Sequence, residues 1–379
     1  MDDATLAGQV LMIGVDGLQV PSPTSVALLR EVRPGAVVLF GFNLSEDPRV
    51  VYGLCEGIRA GASSGAPAPA LPPLIAVDHE GGPVYRFKGG LTRLPSARRL
   101  GQAGQAAALA AGTAAGTELR AVGITMNLAP VVEALTSTNK AFLSDRAWSD
   151  DPKAAAALAG TFIEACQAGG AAAVAKHFPG NADDPHKSRP VLEVSRTDLE
   201  RVYLAPFAAA ADRGTAAVML SHALVPALDP KRPVTVSPAA VAELKVGLGF
   251  GGIVLSDDLV MAAIARPEAV RQEAVRPGTA GSTHVGGVAV AAMLAGVDML
   301  MVSGGGTIRE AWDALREALA DGSLGRARLE DAAFRIVYQK LRFGLVDETE
   351  AEREYRLGTL PSLVAENTRS LADVLGTDR

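Results

Sequence analysis

Short apolar, β-prone runs recur along the chain at 11–15, 36–40, 74–77, 124–128, 172–175, 217–220, 253–255 and 299–302. Between them lie Ala/Leu/Glu/Arg-rich segments with helical spacing, such as 96–121 and 151–167. Nearly continuous apolar strands alternating with helices predict a parallel sheet covered on both faces. Eight repeats of that unit favour a closed (β/α)8 barrel over an open doubly wound sheet. No boundary divides the pattern, which places the barrel at 1–345. Beyond Phe343 the chain turns charged and then helical, which predicts a C-terminal helical extension at 346–379 packed on the barrel. Two segments interrupt the alternation. An Ala/Pro/Gly-rich stretch at 61–73 reads as a loop, and a polar insertion at 266–287 reads as a rim element or lid.

Composition narrows the function class. The 379 residues are 48% hydrophobic but only 4% aromatic, which suits tight packing of helices on a sheet. A net charge of −6 without a basic block argues against a nucleic-acid binder. Cys55 and Cys166 each fall in a helical pattern and read as buried free thiols. No zinc-ligand spacing is present, and neither a metal nor a cofactor is expected. The opening Met1-Asp2-Asp3-Ala4 lacks the basic and apolar regions of a signal peptide, and no run of about eighteen apolar residues predicts a membrane span. The chain as given reads as cytoplasmic, with its oligomeric state open.

The chemistry-bearing residues follow the apolar runs, as they do on the catalytic face of a barrel. Asp78-His79-Glu80-Gly81-Gly82 follows the third run, Lys176-His177-Phe178-Pro179-Gly180 the fifth, and Ser256-Asp257-Asp258 the seventh. His79, His177 and His222 lie just after the third, fifth and sixth runs, which makes a shared site a better reading than three structural histidines. No His-x-His pair or His-Glu-x-x-His helix supports a metal-dependent hydrolase. Of Asp257 and Asp258, one carboxylate is expected in the site and the other at the turn before the next helix. Ser303-Gly304-Gly305-Gly306-Thr307 after the eighth run, taken with Lys176, supports a rival reading: a Schiff-base aldolase acting on a sugar phosphate.

Taken in order, Asp78-His79-Glu80-Gly81-Gly82, Asn127-Leu128-Ala129-Pro130-Val131, Lys176-His177-Phe178-Pro179-Gly180, Ser221-His222, Ser256-Asp257-Asp258-Leu259-Val260-Met261 and Ala295-Gly296-Val297-Asp298-Met299 form a series. It resembles bacterial β-N-acetylhexosaminidases of glycoside hydrolase family 3, over roughly residues 5–345. The resemblance implies a single-domain barrel that hydrolyses terminal β-linked N-acetylglucosamine with retention. It implies Asp257 as nucleophile, Lys176 and His177 as the pair gripping sugar hydroxyls, and Asp78 as the acid on the far side of the same sugar. Arg146, in Leu143-Ser144-Asp145-Arg146-Ala147-Trp148, matches an arginine that also contacts the sugar, and His222 joins the substrate-binding set. A carboxylate nucleophile must be ionised as positive charge builds on the ring, and a nearby lysine keeps it so.

The family's acid/base is a histidine in an Asp-Ser-His loop after the Lys-His-Phe-Pro-Gly motif. Counted from Gly180, its place is taken by Arg189 and the aspartate's by Lys187. Three residues earlier, Asp184-Pro185-His186 has the same spacing, and His186 is expected to be the acid/base with Asp184 as its partner. Pro83 stands where the family commonly has arginine, and His79 where glutamine is frequent, so substrate choice is less constrained than reaction type. The expected partner is a small N-acetylglucosamine-containing carbohydrate, whether a cell-wall muropeptide fragment or a chitin-type oligosaccharide. A phosphorylase, a β-glucosidase of the same family and a sugar-binding pseudo-enzyme stay open as alternatives.

Overall fold

The computed structural model describes residues 1–65, 71–265 and 284–376. Its strands are β1 (Leu11–Gly14), β2 (Ala36–Leu39), β3 (Leu74–Val77), β4 (Met126–Asn127), β5 (Ala172–Phe178), β6 (Ala217–Leu220), β7 (Ile253–Ser256) and β8 (Leu300–Val302). All neighbours in the sheet pair in parallel, and β8 pairs with β1. A bridge between Leu255 and Met299, with the Ser256 amide donating to the Met299 carbonyl at 2.9 Å, joins β7 to the approach of β8 and closes the ring. The expected (β/α)8 barrel is the fold found. Every strand residue is buried, which is why each run is apolar without alternation.

Helix starts are written locally. Ser22-Pro23, Asp47-Pro48, Asp151-Pro152 and Ser237-Pro238 each place a capping oxygen before a proline in the first turn, where the missing N–H costs nothing. Small residues let the outer helices lie close. A Cβ on Gly116 would sit 2.2 Å from the Cys166 carbonyl oxygen of the neighbouring helix Pro152–Ala168. Cys55 and Cys166 are buried and free.

Helix Glu350–Leu375 opens on a Thr349/Glu352 capping box and lies against helix Gln105–Ala121. Asn367 Nδ2 donates to buried Glu118 Oε1 at 2.8 Å, while Leu360 and Leu371 bury their side chains. Of the polar segment at 266–287, residues 266–283 lie outside the described residues, and 284–287 open helix His284–Ala295. Among the described residues, no helix is long and apolar enough to cross a membrane.

One buried cation stands far from any strand tip. Lys340, on helix Arg326–Arg342, is fully buried and donates to Gln9 Oε1 at 2.9 Å. Burial pushes its ammonium down to about 7. Stability rises with pH wherever the unfolded chain binds more protons. Between about 7 and 10.5 the unfolded lysine carries a proton that the native one sheds, so this penalty fades as pH climbs. Lys340→Met should therefore stabilise the fold by roughly 1–4 kcal/mol at neutral pH. In thermal unfolding its advantage should shrink toward pH 10.

Candidate active site

The tips of β3 to β7 converge above the barrel. Past β3 the chain stays extended through the short hairpin His79–Gly81/Val84–Tyr85. In extended chain, side chains two apart share a face. Asp78 and Glu80 thus point together into the barrel mouth, and His79 turns away onto the rings of Tyr85 and Phe87. His79 is 2% exposed, its Nδ1 has no partner among the described residues, and burial lowers its pKa to about 4. It is a neutral residue beneath the hairpin rather than part of the charged array.

Lys176 rises from β5 between the two carboxylates, with Nζ 2.7 Å from Asp78 Oδ1 and 2.7 Å from Glu80 Oε1. Arg146, on the turn Ser144–Arg146, clamps both Glu80 oxygens at 2.9 Å and lies 5.1 Å over the Phe142 ring. The set carries two cations and two anions, with Arg86 3.9 Å from the other Asp78 oxygen at its edge. Burial opposes charge on Lys176, but Asp78 and Glu80 outweigh it and raise its pKa. Burial likewise opposes the Glu80 carboxylate, and Lys176 and Arg146 hold it well below the usual range. Lys176, Arg146 and Glu80 therefore stay charged at neutrality. A lysine held protonated is a poor imine former, which counts against the aldolase reading.

His177 follows on β5 and is organised by a buried acid, Glu133. Glu133 Oε1 accepts from the His177 amide at 3.1 Å and lies 2.9 Å from its Nδ1, and Oε2 accepts from the Asn181 amide at 2.8 Å. One carboxylate thereby fixes the imidazole and the root of the loop that carries His186. The peptide bonds Lys176–His177 and Phe178–Pro179 are cis.

Asp257 and Asp258 part company at the β7 tip. Asp258 turns back into the fold, where Oδ1 accepts from the amides of Val260 at 3.3 Å and Ser303 at 3.2 Å. Burial raises its pKa. Burial would raise Asp257 as well, but His222, His177, the Asp258 amide and Lys176 outweigh it and the pKa falls. His222 is fully buried with both ring nitrogens engaged, Nδ1 at 2.6 Å from Thr235 Oγ1 and Nε2 at 3.0 Å from the Asp258 carbonyl. Expected among the sugar-binding residues, it is instead committed to holding the Asp257–Asp258 turn, with no ring nitrogen left over for a hydroxyl.

The loop after Gly180 carries the remaining pair. Asp184 Oδ1 accepts from the His186 backbone amide at 3.0 Å, and its other oxygen lies 3.3 Å from Lys187 Nζ. The carboxylate thus shapes the turn that presents His186, whose side chain is exposed. The loop is tied to the segment after Asp257 by the Ala263 amide, which donates to the Pro185 carbonyl at 3.1 Å. His186 is near enough to bear on the charge of His222, beside Asp257.

Glu80 and Glu133 are the two residues to which sequence reasoning gave no role. The signal for Glu80 was its spacing of two from Asp78; for Glu133 it was a lone acid in an apolar run. A hollow of about 590 Å³ lined by Gln167, Gly170, Arg213 and Arg342 lies at the opposite mouth and touches none of these groups. Among the described residues, no group of His, Cys, Asp and Glu is placed to hold a metal ion.

Residues 7–338 match the family described as glycosyl hydrolase family 3 N terminal domain. A β-hexosaminidase of Thiobacillus denitrificans is 38% identical over 242 residues, covering 61% of this chain and 65% of that protein. The chain thus spans about two thirds of the length of such a curated relative. The solved glycoside hydrolase family 3 β-N-acetylglucosaminidase of Paenibacillus sp. superposes with a TM-score of 0.82 at 31% identity, covering 96% of this chain and 69% of that one. The β-N-acetylhexosaminidase of Beutenbergia cavernae gives 0.77 at 28% identity, covering 90% of this chain and 98% of that one. With residues 7–338 matched to that family, the chain belongs to glycoside hydrolase family 3.

Proposed function

We propose that the protein is a retaining exo-β-N-acetylglucosaminidase in which Asp257 is the nucleophile and His186 the acid/base. The observation that carries the reading is Asp257 itself: a carboxylate kept ionised at the β7 tip, across the barrel mouth from the array of Asp78, Lys176, Glu80 and Arg146. Asp78, Lys176, Arg146 and His177 offer charged donors and acceptors to sugar hydroxyls, and charge-assisted hydrogen bonds are short and directional. In the first step an Asp257 oxygen bonds to the anomeric carbon. The bond to the leaving oxygen breaks, and that oxygen takes a proton from His186. In the second step His186 takes a proton from water, the water oxygen bonds to the anomeric carbon, and the ester to Asp257 opens. His222 and Asp258 hold the nucleophile's turn, and Asp184 holds the turn of the acid.

Hydrolysis of an aryl β-N-acetylglucosaminide beside the matching β-glucoside tests the substrate class. The acetamido sugar should be clearly preferred, and preference for the glucoside would refute the assignment. Repeating the assay with phosphate separates a hydrolase, which releases free sugar, from a phosphorylase, which releases sugar phosphate.

The acid has its own signature. Poor leaving groups need a proton and nitrophenolate does not, while general acid catalysis contributes about 10²–10⁴-fold. His186→Ala should lose a factor in that range on a disaccharide and far less in the first step with a nitrophenyl glycoside. Equal losses on the two substrates would remove His186 from the role.

A further inference from the structure

We propose that two copies of the chain pair back to back through helix Arg326–Arg342, on the face of the barrel opposite the strand tips. The helix crosses the ends at which strands enter the barrel. Arg342 Nη1 donates to the Gly214 carbonyl ahead of β6 at 3.0 Å, and Arg335 Nη1 to the Gly251 carbonyl ahead of β7 at 2.7 Å. Arg328 Nη2 donates to the Val297 carbonyl ahead of β8 at 2.5 Å. The inner face of the helix, with Leu329, Ala332 and Ile336, is buried in the fold. Its outer face is apolar where water would favour polar groups.

Phe334 is 70% exposed, and Tyr338 and Leu341 are each 55% exposed. Glu330, Phe334, Tyr338 and Arg342 follow at intervals of four and are all exposed, so they form one ridge along the solvent side. The ridge begins on an acid, ends on a base and carries two aromatic rings between them. Reversed, it is its own complement. A two-fold axis at Ile336, midway along, sets Glu330 against the second copy's Arg342 and Phe334 against the second copy's Tyr338. Each contact then occurs twice, as in the isologous pairing of a two-fold dimer. Aligned i±4 ridges are also the commonest packing of two helices.

Glu330 Oε1 already lies 2.9 Å from Arg326 Nε, and Arg342 holds the Gly214 carbonyl. The end charges therefore fix the register, while the aromatic rings supply most of the affinity. A stable interface buries about 800 Å² on each partner. A ridge about 18 Å long is too narrow for that alone. Exposed apolar side chains widen it. Leu294, 55% exposed, follows Met293, whose carbonyl accepts from Arg328 Nε at 3.1 Å. Val246, 81% exposed, follows Lys245, which shares Asp298 with Arg328. A patch of this kind on a helix that plugs the barrel marks a docking face, and the charge pattern selects a second copy as its occupant.

Sedimentation of the full chain over a concentration series tests this, with thermal melts to show that each variant is folded. The wild-type chain should sediment at twice its 39.0 kDa. Phe334→Glu should weaken the dimer about thirtyfold or more without lowering the melting temperature of the monomer. Glu330→Arg, which opposes like charges at both ends, should weaken it about tenfold. Glu330→Arg combined with Arg342→Glu restores both pairs with their signs exchanged and should recover most of that loss. A wild-type monomer at every concentration up to about 100 µM would overturn the proposal, because a pairing with Kd of about 10 µM would by then be mostly dimeric. So would a dimer that Phe334→Glu leaves unchanged, or a double exchange no tighter than Glu330→Arg alone.

Discussion

Asp257→Ala should lose roughly 10⁴-fold or more in kcat on an N-acetylglucosaminide, the scale on which removing a nucleophile usually falls. Asp258→Asn should keep most of its activity. The two carboxylates are adjacent in sequence but opposite in environment. Asp258 accepts backbone amides with an oxygen that asparagine also possesses, and burial already favours its protonated form. Asp257 faces His222, His177 and Lys176, which hold it ionised against burial. The same field sets a pH dependence. Because its pKa is lowered, the acid limb of kcat/KM should lie below the usual aspartate range. Removing a cation relaxes the shift, so Lys176→Met should move that limb to higher pH as well as weakening binding. An acid limb unmoved by Lys176→Met would mean that another group titrates there.

Glu80→Ala should be the most destabilising single change at the barrel mouth. Glu80 is nearly buried and neutralises two cations, Lys176 at 2.7 Å and Arg146 through both nitrogens at 2.9 Å. Removing one partner of a buried pair strands the other charge, at a cost of about 3–5 kcal/mol. Here Lys176 keeps Asp78 while Arg146 loses both of its bonds, so the arginine turn should loosen first. Denaturant unfolding should show the loss of stability, and kcat/KM should fall with it because Lys176 and Arg146 are no longer aimed. Glu80→Gln retains shape and an acceptor oxygen and should recover part of both. Unchanged stability in Glu80→Ala would mean that the ion pairs contribute nothing net.

Much of the barrel could be read from the sequence because its strands are buried on both faces and its helices begin at local cap–proline pairs. Each of the eight runs at 11–15 through 299–302 overlaps a barrel strand. The misfit in length came at β4, which keeps only Met126–Asn127, and at β5, which continues through Lys176 and His177 to Phe178. Charged residues at the end of a strand look like the start of a loop, so the extension of β5 was invisible until the partner carboxylates came into view. The strand-tip positions of Asp257, Lys176 and Asp78 could be read because their motifs follow the apolar runs. Glu133 could not, because its partners His177 and Asn181 lie 44 and 48 residues away and no local pattern records that contact. The partners of His222 were hidden for a related reason. Position at a strand tip says that a side chain is near the site, while Thr235 and the Asp258 carbonyl decide which way its nitrogens face.

The central claim is that Asp257 forms the covalent bond to the sugar. Incubating the protein with a slow fluorinated N-acetylglucosaminide substrate and mapping the modified peptide by mass spectrometry tests it most directly. The expected result is one added sugar on the peptide containing Ser256-Asp257-Asp258, with fragmentation placing it on Asp257. A sugar on Asp258 or on another carboxylate, or steady turnover with no adduct while Asp257→Ala remains active, would contradict it.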